Sequence, residues 1–198
     1  MDKIILASSS KTRTALLMSA GVSFENRPAN IDEEEITVAL IAEKREPFVI
    51  AESLAEHKAL VVSRKAPGNL VIGADQILEY EKSILSKPKN QTEAREQLYL
   101  LRDMDHKLIS SVVVAKDGRR LWHNTDVALL RMRNFSDSFL DAYLRDLGED
   151  LFDGSGCYRV EGFGIQLFAR ITGDYFTILG LPLLALLDYL RVQGVVAK

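Results

Sequence analysis

The sequence predicts an α/β fold, with a mixed β-sheet and flanking helices. Short apolar runs typical of buried strands alternate along the chain with segments whose apolar residues recur at helical spacing. Residues 107–133 are typical of a β-hairpin, because two strand-like runs flank the turn dipeptide Asp117-Gly118. The hairpin makes the sheet mixed rather than purely parallel, and the predicted element order is βα(αα)βαββαββα.

The first half of the chain contains two predicted strands and three predicted helices. The first helix is expected to begin at a serine N-cap and to end before Gly21. Pro47 suits the first turn of the third helix, where its missing N–H would have no intrahelical partner. The strands are predicted over residues 3–8 and 70–81, and the helices over 11–21, about 34–45 and from 47 to about 58.

The second half adds the hairpin, three helices and one or two further strands. In the first of these helices, Ala94, Leu98 and Leu101 follow the i, i+4, i+7 spacing. The helices are predicted over 92–103, 136–148 and 182–194, and the strands within 157–180. No internal repeat or low-complexity linker interrupts the chain. Residues 1–198 are therefore expected to form one domain, long enough to contain two lobes that share a cleft.

The composition excludes several classes of protein. Hydrophobic residues make up 47% of the 198 residues and charged residues 27%, as in a soluble globular protein. A net charge of −3 and a pI near 5.7 argue against non-specific nucleic-acid binding. Cys157 is the single cysteine, so no intrachain disulfide is expected. The most apolar stretch, residues 177–190, is too short to span a membrane, and the N-terminus lacks a signal-peptide pattern, so a cytoplasmic location is predicted.

A serine-rich stretch after the first strand is a candidate anion site. In "SSSKTR", Ser8 and Ser10 precede a helix whose first turn carries Arg13. Backbone N–H groups at a helix N-terminus favour an anion, and a guanidinium can grip phosphate with two hydrogen bonds. The alternative is a serine-capped helix with solvated basic residues, and this stretch alone favours that alternative.

Carboxylates occur in two informative places. The run "IDEEEI" is typical of a solvated helix N-terminus, and a second interpretation is that Asp32 or Glu33 binds a divalent cation. Asp75 stands in the apolar strand 70–81, where a carboxylate is costly unless a metal or a partner satisfies it. Gly73 on the same face would let a ligand approach. The alternative for Asp75 is an edge-strand residue that pairs with a nearby lysine.

Two lysines complete the set of candidate residues. Lys87 precedes Pro88, which holds the backbone of Lys87 in an extended conformation, and Lys58 lies on a predicted helix. Each lysine alone is more typical of a solvated surface charge. Together with Arg13 and the two carboxylates, they indicate a site for a metal-bound triphosphate.

At these residues the chain resembles the Maf family of nucleoside triphosphate pyrophosphatases over nearly its full length. The motifs that carry the resemblance are "LASSSKTR", Asp32-Glu33, Lys58-Ala59, Gly73-Ala74-Asp75, Ser86-Lys87-Pro88 and "EGFGIQLFARITGDYFTILGLPL". The resemblance implies an elongated mixed sheet in two lobes around a central cleft, as in Maf and ITPase-like proteins. It also implies hydrolysis of a nucleoside triphosphate to the monophosphate and pyrophosphate with Mg²⁺ or Mn²⁺, a role in clearing unwanted nucleotides, and a homodimer.

The resemblance and the chemistry of the residues assign the same roles. Asp75 is the candidate general base, and Glu33 with Asp75 would hold the metal, which lowers the pKa of the attacking water. The candidate phosphate-binding residues are Ser8, Ser10, Arg13, Lys58 and Lys87. Phosphoryl transfer depends mostly on such positioning and charge.

Three positions differ from the dTTP- and UTP-preferring branch of the family, which carries Arg, Thr and Gln there. This chain has Thr12, Gln76 and Glu161 instead, and the last two resemble the branch that prefers 7-methyl-GTP. A carboxylate at Glu161 suits the N–H edge of guanine or a cationic methylated base. The alternatives are a pyrimidine-preferring enzyme, a non-catalytic nucleotide-binding regulator of cell division, and a phosphomonoesterase.

Overall fold

The structure is a computed structural model, and it describes residues 3–148 and 154–197. The strands in these residues are β1 (Ile4–Leu6), β2 (Glu25–Asn26), β3 (Leu70–Tyr80), β4 (Ser83–Leu85), β5 (Asp105–Lys116), β6 (Arg119–Met132) and β7 (Phe168–Thr172). The helices are α1 (Lys11–Ser19), α2 (Glu33–Ala42), α3 (Pro47–Arg64), α4 (Gln91–Leu101), α5 (Asp137–Leu147), α6 (Tyr175–Ile178) and α7 (Leu183–Val192), with a 3-10 helix at Phe163–Leu167.

The strands of the described residues form one mixed sheet, as the sequence predicts. Its order is β2-β1-β3-β5-β6-β7, and β4 pairs with β3. Strand β1 is parallel to β2 and to β3, whereas β3–β4 and β6–β7 are antiparallel. Asp117 and Gly118 connect β5 to β6 with φ of 51° and 75°. Positive φ at both positions is the geometry that an Asp-Gly hairpin turn favours.

Most of the predicted elements are confirmed, and the differences have local causes. Strands β2 and β4 are two and three residues long, too short to leave a periodic pattern. Helix α3 continues beyond its predicted end to Arg64. Within 157–180 only β7 is a strand, because Phe163–Leu167 forms a 3-10 helix and Tyr175–Ile178 a turn of α-helix. Short apolar runs do not by themselves distinguish strand from helix.

The chain divides into two compact units. The first unit contains the chain up to Gln76, Ile109–Asp126 and the chain from Asp174, and the second contains Ile77–Leu108 and Val127–Gly173. Three of the boundaries fall within β3, β5 and β6, so the units have no separate linker there. No helix in the described part of the chain is long and apolar enough to cross a membrane.

The core of the first unit lies on both faces of β3. On one face, Ile72 and Ala74 pack in a cluster with Leu17 of α1 and Leu186 of α7. On the other face, Val71 packs with Val62 of α3. The alternation along β3 therefore separates two buried layers, and α3 covers the layer to which Asp75 also belongs.

Candidate active site

One buried lysine joins the two candidate acidic residues. Lys58, on α3, places its Nζ 2.7 Å from Oδ1 of Asp75 and 2.9 Å from Oε1 of Glu33. Glu33 is the first residue of α2, and Asp32 is the N-cap of that helix. Lys58 and Asp75 are buried, whereas the Glu33 side chain is about half exposed. Residues 33, 58 and 75 thus form one charge cluster within the first unit.

Gly73 brings α3 close enough to β3 for this contact. A Cβ atom at residue 73 would lie 2.2 Å from the Ala55 carbonyl oxygen and 2.6 Å from the Ala59 amide nitrogen. Both are backbone atoms of α3, one turn before Lys58 and immediately after it. The expectation that this glycine admits a ligand is therefore wrong, because the helix backbone occupies the space.

Asp75 lies in the interior of the sheet, since β3 runs between β1 and β5. The interpretation of Asp75 as an edge-strand residue is therefore wrong. The nearby lysine that this interpretation also predicted is present, since Lys58 donates to Asp75. Burial raises the pKa of Asp75 above its ordinary value, and the nearby Glu33 raises it further. The positive charges of Lys58 and Arg13 lower the pKa of Asp75. A carboxylate with a raised pKa is a stronger proton acceptor than an exposed aspartate.

Arg13 is buried and binds main-chain oxygens from two distant segments. Its Nε donates to the Gly180 carbonyl at 2.8 Å, and its Nη1 donates to the Ala74 carbonyl at 2.9 Å. Nη1 is also 3.3 Å from the Ser8 hydroxyl. Burial lowers the pKa of Arg13, and the charges of Asp75 and Glu33 raise it. A guanidinium remains protonated in proteins, so Arg13 adds a positive charge beside Asp75.

The serines form the turn that the sequence predicts. Ser10 is the N-cap of α1, and its Oγ accepts the Arg13 N–H at 3.3 Å. The Oγ of buried Ser8 accepts the Ser10 N–H at 3.2 Å. Thr12 lies on the first turn of α1 and is half-buried. The helix therefore starts with its N–H groups at the turn, next to the positive charge of Arg13.

Gln76 points its amide nitrogen at protein oxygens. Nε2 lies 2.9 Å from the Ile178 carbonyl, 3.1 Å from the Thr177 carbonyl and 3.0 Å from the Ser110 hydroxyl. These partners come from β5 and α6. Gln76, the residue that follows Asp75, thus connects β3 to the helical turn α6, which follows β7.

The two remaining predicted residues belong to the second unit. Lys87 is exposed, two residues after β4. Glu161 lies before the 3-10 helix, with Oε1 3.5 Å from Nε of Arg159. Glu161 and Arg159 line a cavity of about 200 Å³ together with Tyr143 and Asp146, and Lys87 is not part of its lining.

The acidic residues fit a divalent cation that arrives with a substrate. Carboxylate oxygens of Glu33 and Asp75 converge on one cationic atom, Lys58 Nζ. In the described residues no group of three or more His, Cys, Asp or Glu side chains could hold a metal ion. Mg²⁺ is usually bound by one or two carboxylates, with water and substrate phosphates as its other ligands. Glu33 and Asp75 match that donor set.

Sequence reasoning missed the residues of β5 and α6 that bind Gln76, the neighbour of Asp75. Ser110 donates to the Thr177 carbonyl at 2.7 Å, and both residues are fully buried. Thr177 Oγ1 donates to Oδ2 of Asp126 at 2.7 Å. The only sequence signal for Ser110 was a polar residue inside the apolar run "LISSVVVA", and it does not identify a partner.

Comparison with known proteins shows the family of this chain. Residues 3–193 match the family described as Maf-like protein, and the chain belongs to this family. A protein from Paramagnetospirillum magneticum named nucleoside triphosphate pyrophosphatase is 50% identical over 96% of this chain and 98% of its own length. A protein of the same name from Caulobacter vibrioides is 49% identical over 98% of this chain and 97% of its own length.

Another relative has a name that specifies a base. A protein from Brucella abortus named 7-methyl-GTP pyrophosphatase is 44% identical over 96% of this chain and 95% of its own length. Among solved structures, a HAM1 protein from Coxiella burnetii matches 68% of this chain and 75% of its own chain at 17% identity. Its TM-score is 0.45, which is too low to bear on fold or function.

Proposed function

We propose that this protein is a nucleoside triphosphate pyrophosphatase, which hydrolyses its substrate to the nucleoside monophosphate and pyrophosphate. Membership of the Maf family and the names of the relatives support this activity. The observation in the structure that supports it best is the buried Asp75, held between the positive charges of Lys58 and Arg13. A buried carboxylate suits proton transfer from water, and two cationic side chains beside it suit the negative charge of a triphosphate.

Asp75 is the proposed general base. It accepts a proton from the water molecule whose oxygen forms the new bond to the α-phosphorus, and the bond from that phosphorus to the α,β-bridging oxygen breaks. Pyrophosphate leaves with the bonding electrons. The raised pKa of Asp75 favours this role, because a base transfers protons best when its pKa lies closer to the working pH.

The proposed phosphate-binding residues are Ser8, Ser10, Arg13, Lys58 and Lys87. Arg13 contributes its charge and Nη2, which has no hydrogen bond to the residues that the structure describes. Lys58 pairs with Asp75 and Glu33 before the substrate binds, and its ammonium group would be available to a phosphate oxygen afterwards. The N-terminus of α1 adds main-chain donors and a positive dipole.

A divalent cation, Mg²⁺ or Mn²⁺, is the proposed cofactor. Glu33 and Asp75 would hold it together with the phosphates of the substrate. When bound, the cation supplies positive charge to the reacting phosphate and lowers the pKa of water. In this proposal Glu33 and Asp75, which are paired with Lys58 in the structure, would be the carboxylate ligands of the cation.

The proposed substrate is a purine triphosphate with a modified base, 7-methyl-GTP. Thr12, Gln76 and Glu161 are the proposed base-specificity residues. The name of the Brucella relative supports this preference. The carboxylate of Glu161 suits the N–H donors of guanine, and a methylated guanine adds a positive charge that favours a carboxylate. A cytoplasmic location and a homodimer remain predictions from the sequence.

The decisive experiment is a nucleotide panel with Mg²⁺ that measures pyrophosphate and orthophosphate separately. We expect pyrophosphate and monophosphate in equal amounts, fastest with 7-methyl-GTP and slower with GTP, dTTP and UTP. Release of orthophosphate would instead support a phosphomonoesterase. Binding without turnover on the whole panel would support the nucleotide-binding regulator, and faster turnover of dTTP or UTP would overturn the proposed base preference.

A further inference from the structure

The main-chain oxygen of Thr177 is an unusually well-satisfied acceptor. It receives the Ser110 hydroxyl at 2.7 Å, the Gly180 N–H at 3.0 Å and the Gln76 amide at 3.1 Å. A carbonyl oxygen has two lone pairs, so three donors exceed the ordinary number of its partners. Nε2 of Gln76 also donates to the Ser110 hydroxyl oxygen at 3.0 Å. Three separate segments of the first unit therefore meet at this atom.

These contacts close a hydrogen-bonded ring around the candidate base. The main chain of Asp75 links its two neighbours, Ala74 and Gln76, which make the hydrogen bonds. Nη1 of Arg13 binds the carbonyl before Asp75, and the side chain after Asp75 binds the turn. Gly180 closes the circuit, since its carbonyl accepts Nε of Arg13 and its N–H binds Thr177. The ring, here called the Asp75 ring, consists of Ala74, Arg13, Gly180, Thr177 and Gln76, closed through the main chain of Asp75.

The turn that completes the Asp75 ring is itself held at several points. Asp174 caps α6, and its Oδ1 accepts the N–H groups of Phe176 and Thr177. The Thr177 hydroxyl donates to Asp126. Gly180 has a φ of 89°, which lets its carbonyl and its N–H serve different members of the ring. The turn from Asp174 to Gly180 is thus fixed from β3, β5 and β6 together.

We propose that Gln76, Ser110 and Thr177 are positioning residues that hold the Asp75 main chain in its reactive place through the turn Asp174–Gly180. This inference rests on the proposed function for the role of Asp75. Ser110 and Thr177 act on the reaction without touching the substrate, since their bonds go to other protein groups. Small displacements of a reacting group are enough to lower a rate substantially.

The same contacts give residue 76 a defined way to affect the substrate. Its amide nitrogen is engaged with three protein oxygens, so that nitrogen acts on the turn. A different residue at this position changes the location of the turn and of Arg13, which binds Gly180. Residue 76 thereby acts on the triphosphate and its base indirectly.

Two neighbouring serines provide a matched test. Ser110 and Ser111 are both fully buried in β5, and each makes a hydroxyl hydrogen bond. Ser110 binds Thr177, whereas Ser111 pairs with Oγ1 of Thr125, outside the Asp75 ring. The variants Ser110→Ala and Ser111→Ala therefore remove equivalent groups, and only the first affects the ring.

The experiment measures kcat, KM and amide hydrogen exchange in residues 174–181 of both variants in the full chain. For Ser110→Ala we expect kcat to fall by about 10-fold to 100-fold with KM changed less than about 3-fold, and faster exchange in 174–181. Ser111→Ala is expected to keep both readouts close to wild type. Equal effects of the two variants, or faster exchange without a fall in kcat, would overturn the inference.

A second variant covers the case in which Ser110→Ala does not fold. Gln76→Glu places a carboxylate against the carbonyl oxygens of Thr177 and Ile178, so it repels the turn with nearly unchanged volume. We expect the same fall in kcat and faster exchange, and wild-type values would overturn the inference. Wild-type protein that releases no pyrophosphate from any nucleotide would overturn the proposed function. Exchange that is equal in wild type, Gln76→Glu and Ser110→Ala would overturn the inference alone.

Discussion

Lys58 Nζ lies 2.7 Å from Oδ1 of Asp75 and 2.9 Å from Oε1 of Glu33, so one buried ammonium group forms ion pairs with two carboxylates. The lysine side chain is 8% exposed, as is that of Asp75. Ions in such a place depend on each other, because a buried charge without a partner is costly. This relationship ties the stability of the first unit to its candidate chemistry.

Lys58→Met should destabilise the protein by about 3–5 kcal/mol at neutral pH, because Asp75 then remains buried without its lysine. Urea unfolding measures the change. The loss should be smaller at pH 5 than at pH 8. Burial already raises the pKa of Asp75, and a raised folded-state pKa means that the folded form binds the proton as the pH falls.

Arg45→Met is the control for that substitution. Arg45 and Glu43 form an exposed ion pair at 3.1 Å, and such pairs contribute at most about 1 kcal/mol. If Lys58→Met cost no more than Arg45→Met, Lys58 would not be the main counter-ion of Asp75.

Asp75→Asn should abolish pyrophosphate release while the fold remains. The amide keeps an oxygen that can accept from Lys58, but it has neither the negative charge nor the basicity of the carboxylate. A general base contributes about 100-fold to 10,000-fold to a rate, so a loss of at least that size is expected. Circular dichroism and thermal unfolding check the fold. Activity near the wild-type level would remove Asp75 from the mechanism.

Gly73→Ala should reduce both stability and activity. The new methyl group would meet the α3 backbone at 2.2 Å, and the helix would have to move away together with Lys58. Overpacking of this kind costs about 1–3 kcal/mol or more. Gly162→Ala is the stability control, because nothing lies within 4 Å of its added Cβ. Equal unfolding midpoints for the two variants would contradict the close contact of β3 and α3.

Glu161→Gln should change which base is preferred more than it lowers the best rate. A charged hydrogen bond contributes about 1.5–3 kcal/mol, so the ratio of kcat/KM for 7-methyl-GTP to that for dTTP should fall about 10-fold or more. Asp146→Asn is the matched control, since Asp146 lines the same cavity. An unchanged ratio in Glu161→Gln, or an equal change in Asp146→Asn, would refute the role of Glu161.

His106→Phe should flatten the dependence of stability on acidic pH. His106 is buried, its Nε2 is 2.7 Å from the Tyr158 hydroxyl, and burial lowers its pKa to about 4 although Asp105 opposes this. Between pH 6.5 and about 4 the unfolded histidine binds a proton that the folded one does not. The folded protein therefore loses stability as the pH falls, by at most about 1.4 kcal/mol per pH unit from this residue.

Urea unfolding at pH 7, 6 and 5 measures that contribution. The difference between wild type and His106→Phe should shift in favour of the variant as the pH decreases. A difference that stays constant over this range would show that His106 titrates in the same way in both states.

The class of the protein was predictable from the chain alone. Membership of the Maf family and the mixed α/β sheet are confirmed, because several short motifs stand in order along most of the sequence. The hairpin was predictable for a local reason, since Asp117-Gly118 suits a turn with positive φ. Strands β2 and β4 were missed because pairing with neighbouring strands, rather than periodicity, defines them.

The sequence by itself therefore determined the residue types available for chemistry and the local elements that carry them. Only the tertiary structure decided that Lys58 bridges Asp75 to Glu33, that Gly73 meets a helix, and that Gln76 meets Thr177 across 101 positions. The physical reason is the range of the interactions. Capping, turns and periodicity act between near neighbours, whereas the partner of a buried polar group depends on the order of the strands and on which helix covers each face.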